Sequence, residues 1–201
     1  MKKFLLLGAV AALASWPSIL PAATYQIDSA HSIAGFTVRH MMVSNVSGAF
    51  AKLAGTVDFD SNNPSQSKVD VTIDAASVDT RNSGRDNDLR SVNFFDVATY
   101  PAITFKSTRV DRAGEGRYRV VGNLTMHGVT KEVVLDVDGP TPEVQAQGSF
   151  RAGASATTKI DRKDFGITWN RALDSGGVVV SDEVRINIEV ELVRKPPPPA
   201  S

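Results

Sequence analysis

The 201-residue sequence contains no cysteine. That removes disulfide staples, thiolate metal ligands and attachment of a lipid through a terminal cysteine, so stability must come from core burial and sheet pairing. Histidine is scarce. His31, His40 and His127 are the three present, and none has a second histidine at metal-site spacing. No Gly-x-Ser-x-Gly elbow occurs, so the usual hydrolase signal is missing. Gly114-x-Gly116 falls in a hairpin turn without the strand-and-helix setting of a phosphate loop. There is also no net charge, with 22 basic against 22 acidic side chains. Nothing in that balance points to nucleic acid or to an anionic membrane surface. No internal repeat and no linker divides the chain.

What is present begins with a basic Met1-Lys2-Lys3, an apolar stretch from Phe4 to Leu13 and small residues at Pro21-Ala22-Ala23. This order predicts a secretory signal over residues 1–23, cut between Ala22 and Thr24. The apolar core is short for a membrane span, and Pro17 and Pro21 interrupt the segment that comes after it. The expected location is therefore the bacterial periplasm or the exterior, with no stable membrane anchor after cleavage. About 178 residues remain, enough for one domain with a sizeable core. Without Lys2 and Lys3 the balance is 20 basic to 22 acidic, near −2. The run Pro196–Pro199 offers no N–H donors and predicts an extended tail over residues 195–201.

Between these ends the chain reads almost entirely as strand. Phe36, Val38 and His40 alternate with Thr37 and Arg39. Val46, Gly48 and Phe50 alternate likewise, as do Leu53, Gly55, Val57 and Phe59, and then Val69, Val71 and Ile73. Tyr118, Val120, Gly122 and Leu124 continue the pattern up to a tight turn at His127-Gly128. The last strand is the clearest: Val184, Ile186, Ile188, Val190 and Leu192 would scatter round a helix but line one face of a strand. About eight strands, several near ten residues and each polar on one face, predict an extended antiparallel eight-stranded barrel of lipocalin type over residues 24–194. Such a barrel has an apolar bore that can hold a ligand. The small residues Ala152-Gly-Ala-Ser-Ala156 either leave volume in its wall or admit a neighbouring helix. The turn Asp161–Gly166 is expected to bring Phe165 and Trp169 inward, at least as core.

One stretch, Gly84–Ser107, breaks the strand pattern. Asp86 can cap a short helix in which Leu89, Val92 and Phe94 share a face. Phe94 and Phe95 stand next as adjacent rings, Pro101 then forces an extended backbone at Tyr100, and Ile103 and Phe105 resume the alternation. One or two short helices of this kind would close one end of a barrel. Of the polar groups, Arg39, His40, Arg85, Arg90 and His127 are either solvated or paired with Asp86, Asp88 and Asp96, or else one or two of them stand at the barrel mouth and hold a head group.

Taken together, Tyr25-Gln-Ile-Asp28, His31-Ser32, Gly35–His40, Gly48-Ala-Phe50, Arg85-Asp86, Leu89-Arg-Ser91, Phe94-Phe-Asp96, Tyr100-Pro101, Phe105-Lys-Ser107, Gly122–Thr130 and Arg162–Gly166 resemble, in order, the YceI-like family of exported lipocalin-like proteins. The resemblance implies a non-catalytic barrel carrying, storing or sequestering a long isoprenoid-type lipid, either a polyprenyl chain or an isoprenoid quinone. No cofactor is expected beyond such a bound lipid, no metal and no catalytic residue; a homodimer is left open. Phe36, Val38, His40, Phe50, Ile73, Leu89, Phe94, Phe95, Phe105, Leu124, Phe165 and Trp169 are the candidate lipid contacts. Arg39, Arg90 and His127 are the head-group candidates. Asp88 stands where the family usually has histidine and Asn93 where it has an acid, so head-group preference does not carry over. Two other functions fit the residues: an enzyme acting on a small amphiphile with His40 or His127 as general base, and a stress-protective barrel without ligand.

Overall fold

The computed structural model describes residues 22–174 and 176–196. All but the last two residues of the expected signal, and all but the first two of the expected tail, lie outside the described residues. The strands are β1 Ala23–Ile27, β2 Ile33–His40, β3 Ser44–Phe50, β4 Leu53–Phe59, β5 Lys68–Asp74, β6 Val78–Asp79, β7 Ala102–Gly114, β8 Arg117–Met126, β9 Val129–Asp138, β10 Val144–Ala146, β11 Ser149–Asp161 and β12 Val180–Arg194. One α-helix, α1 Ser83–Arg90, separates β6 from β7.

Six of these segments are three long strands in two pieces each. β1 and β2 both run along β12; β4 pairs with β1 while β3 pairs with β2; β5 pairs with β4 while β6 pairs with β3. With β7, β8, β9, β11 and β12 they make eight strands, all antiparallel, and the β11–β12 ladder closes the sheet into a barrel. Closure pairs most of the sheet's edges, which limits templated aggregation. The β11–β12 seam is twelve registered pairs long, from Phe150–Arg194 to Asp161–Glu183. The β9–β11 seam has only three, between Asp136–Asp138 and Ser155–Thr157.

Alternation places the apolar side chains inside, as the sequence predicts. Ile73, Leu124 and Ile188, from three different strands, face one shared interior. Large rings are seated there against glycines. A Cβ on Gly48 would lie 2.5 Å from the Phe36 ring, and one on Gly122 would lie 2.5 Å from the Phe105 ring. The small residues of β11 do not admit a helix. An irregular segment approaches them instead: the Thr141 N–H donates to the Gly153 carbonyl at 2.8 Å.

The helix differs from its sequence reading in two respects. Asn82, not Asp86, is its N-cap, accepting from the Arg85 N–H at 3.0 Å. Asp86 is buried and takes the Thr80 hydroxyl at 2.5 Å and the Thr80 N–H at 2.9 Å. The Thr80 hydroxyl bond is the main reason its carboxyl titrates below the usual range. The helix also ends at Arg90, which leaves Val92 on the surface at 77% exposure instead of on an apolar face.

Candidate functional site: the barrel bore

The bore is a cavity of about 520 Å³, within the range of pockets that hold small organic ligands. Its wall can be followed level by level along β12. Leu192 pairs with Ile27 and Ala152; Ile188 with Ala34 and Ala156; Ile186 with Phe36 and Thr158; Val184 with Val38 and Ile160; Val180 with His40. Leu192, Ile188, Ile186, Val184 and Val180 all line the cavity. Side chains on successive levels are about 7 Å apart at strand rise, so the apolar wall runs most of the strand's length.

The two ends differ. At one, Tyr25, Ile27, Leu53 and Leu192 are buried together. There the Tyr25 hydroxyl donates to Glu143 at 2.7 Å, and Arg194 grips the same carboxylate through Nε and Nη2 at 2.8 and 2.6 Å. Burial first, and the Glu143 contact second, push the Tyr25 hydroxyl up to about 12. At the other end lies α1, whose Gly84, Arg85, Asp88 and Leu89 face the cavity. Of the described lining residues only Gly84, Arg85 and Trp169 are exposed, so this end is the mouth.

Aromatic rings gather below the mouth. Phe36 and Phe50 are 5.8 Å apart, Phe50 meets Phe95 edge-on at 5.3 Å, and Phe94 packs on Trp169 at 5.2 Å. The loop carrying Trp169 is held by Arg162, which is buried and donates to the Ile167, Trp169 and Ser181 carbonyls at 2.7, 2.8 and 3.0 Å. Burial lowers the Arg162 guanidinium from its ordinary value, against the pull of Asp182.

Eleven of the twelve candidate lipid contacts line the cavity: Phe36, Val38, His40, Phe50, Ile73, Leu89, Phe94, Phe95, Phe105, Leu124 and Trp169. Phe165 does not; it is 1% exposed, in the core beside Ile167. The three head-group candidates also lie elsewhere. Arg39 is on the outer face of β2 and bonds Asn45 and the Met42 carbonyl. Arg90 turns away from the bore to the Ala76 and Val78 carbonyls at 2.8 and 2.5 Å. His127 sits at the β8–β9 turn, its Nδ1–H 3.2 Å from the Phe165 carbonyl and its ring on Tyr100. Two cations do line the bore: Arg162, spent on the loop carbonyls, and Arg85, with Nε on the Thr80 hydroxyl at 2.7 Å and Nη2 on the Thr80 carbonyl at 2.9 Å. Sequence reading missed the roles of Thr158 and Arg162. Alternation on β11 could have found Thr158, whereas Arg162 bonds residues 5, 7 and 19 positions away and has no local signature.

A second polar cluster lies where β1 breaks from β2. Asp28, His31 and Glu191 come close enough to share an ion, but the Arg151 guanidinium already bridges Asp28 and Glu191. It is an ion-pair cluster with its cation in place.

Residues 25–192 match the YceI-like domain family. The chain belongs to this family. A relative from Pectobacterium carotovorum subsp. carotovorum, a UPF0312 protein, is 43% identical over 198 residues, covering 97% of this chain and 99% of its own. Among solved structures, BcnA of Burkholderia cenocepacia superposes with a TM-score of 0.70 at 28% identity, covering 82% of this chain and 98% of BcnA. A Saccharophagus degradans domain, described as a polyisoprenoid binding domain implicated in plant cell wall breakdown, gives a TM-score of 0.62 at 20% identity, covering 87% and 99%. That last likeness is one of fold. The YceI-like barrel of this chain thus has relatives along nearly its whole length, and its bore is the candidate site.

Proposed function

We propose that this chain is a non-catalytic binding protein that holds a long isoprenoid-type lipid, a polyprenyl chain or an isoprenoid quinone, in its bore for carriage, storage or sequestration. One observation carries the reading: the bore is lined mostly by aliphatic and aromatic side chains, and its exposed lining residues among those described are confined to the α1 end. The S. degradans domain, with the same fold, supports the ligand class by its description. The basic, apolar and small-residue order of residues 1–23 supports export to the periplasm.

The energetics suffice without many polar contacts. Each isoprene unit has five carbons, worth about 4 kcal/mol gross at about 0.8 per buried group. Three or four units outweigh association costs of several kcal/mol and reach roughly micromolar affinity or better. Catalysis has no comparable support. The His40 ring lines the bore, but among the described residues no carboxylate orients it.

The test is to purify the protein from its host, extract it into organic solvent and identify bound lipid by mass spectrometry. A stoichiometric isoprenoid is expected. Protein that stays lipid-free after incubation with polyprenols and quinones would overturn the reading.

A further inference from the structure

The mouth end of the bore carries polar groups that the fold leaves unused. Arg85 spends Nε and Nη2 on Thr80, and its Nη1 has no partner among the described residues. Asp88 accepts from Asn93 at 2.8 Å and from Ser91 through Oδ1 alone, so its Oδ2 has none among them. Neither the His40 ring nor the Thr158 hydroxyl is engaged by the described residues either. All four residues line the cavity. Their placement is shared as well. β6 pairs with β3 at Ala49 and Phe50, and a Cβ on Gly48 would meet Thr80, so the chain enters α1 at the end where β2 finishes with His40. Thr158 stands on the Ile186 and Phe36 level, two levels below.

Arg85 offers a donor and Asp88 an acceptor, three residues apart on one helix face. No cation pairs with the Asp88 carboxylate among the described residues. A hydroxyl satisfies this arrangement from both sides, because it donates one hydrogen bond and accepts others. A phosphate monoester near neutral pH is mostly a dianion, with acceptors only. It would gain Arg85 but bring like charge directly against Asp88.

We propose that the bore selects isoprenoids whose head group is uncharged and carries a hydroxyl, and that Asp88 is the residue that turns away isoprenoid phosphates. The inference rests on the proposed isoprenoid function. An alcohol and a hydroquinone share the required chemistry. In both, the tail lies along the β12 wall and a hydroxyl sits between Asp88 Oδ2 and Arg85 Nη1; the hydroquinone has a second oxygen, for which His40 and Thr158 are the further polar groups of the wall.

Competition against a fluorescent polyisoprenoid tests this with three ligands of equal tail length: geranylgeraniol, a geranylgeranylated hydroquinone and geranylgeranyl phosphate. The phosphate is expected to bind at least about tenfold more weakly than the alcohol, and a comparison of the first two ligands tells which hydroxyl is preferred. Asp88→Asn keeps the acceptor for Asn93 and should close most of that gap by improving the phosphate. Arg85→Met should weaken the hydroxyl ligands. Phosphate binding equal to or tighter than alcohol binding by the native protein overturns the inference, as does a gap unmoved in a folded Asp88→Asn protein. Because the native comparison needs no variant, a misfolded mutant does not spoil it. Failure of all three ligands and of the probe to bind would instead strike the isoprenoid reading itself.

Discussion

Asp28 accepts hydrogen bonds from the His31 ring at 3.0 Å, the Ala30 N–H at 3.0 Å and the Arg151 guanidinium at 3.1 Å. These, His31 foremost, hold its carboxyl down to about 2. A carboxyl depressed in the folded state stabilises fully above its unfolded value of about 4, and that contribution is lost as the pH falls to about 2. The denaturant midpoint should therefore decline between those pH values, and Asp28→Asn should flatten part of the decline; an unchanged profile in the variant would sink the assignment. The same scale shows what was legible from sequence. Strand alternation put Phe36, Val38, His40, Ile73 and Leu124 in the bore because a period of two fixes which face each occupies. Arg39 belongs by that period to the outer face, and charge alone suggested it as a head-group contact. Arg90 and His127 failed for a different reason: they stand at a helix end and a turn, where no period constrains direction, and backbone carbonyls capture them.

At the scale of elements, α1 and the Phe94-Phe95 turn form the cover of the mouth. The sequence marked this segment because it breaks the strand pattern, but not its cap. Asn82 and Asp86 are both competent N-cap residues, and only the burial of Asp86 against Thr80 decides between them. Phe95 is half-buried, with its ring on Phe50 at one side and the cavity at the other. Phe95→Ala should therefore cost less than the about 3–5 kcal/mol of a full core phenylalanine and should speed release of a bound polyisoprenoid. A full core-sized loss with unaltered release would return the ring to plain core. The seams differ in the same measurable way. Amides of β11 that bond β12 are expected to be among the last to exchange hydrogen, whereas those of β9 that point to β11 beyond the three-pair seam should exchange early. Uniform protection along both seams would contradict this.

For the whole molecule, binding should report on stability and on salt. Ligand at a hundredfold excess over Kd adds about 2.7 kcal/mol to the folded state, so the thermal midpoint should rise with geranylgeraniol. Since the bore is apolar and the chain carries 22 charges of each sign, that affinity should hold between roughly 50 and 500 mM salt; a steep salt dependence would mean that surface charge carries the binding. The aliphatic wall of β12 has one further consequence. Val184, Ile186, Ile188, Val190 and Leu192 present nearly the same surface at every step, so a tail lying along them gains little by stopping at any one position. Polar groups at the mouth hold one end while the tail stays free to change its torsions. Cargo held this way keeps much of its torsional freedom, and tails of several lengths can share one barrel without a dedicated pocket for each.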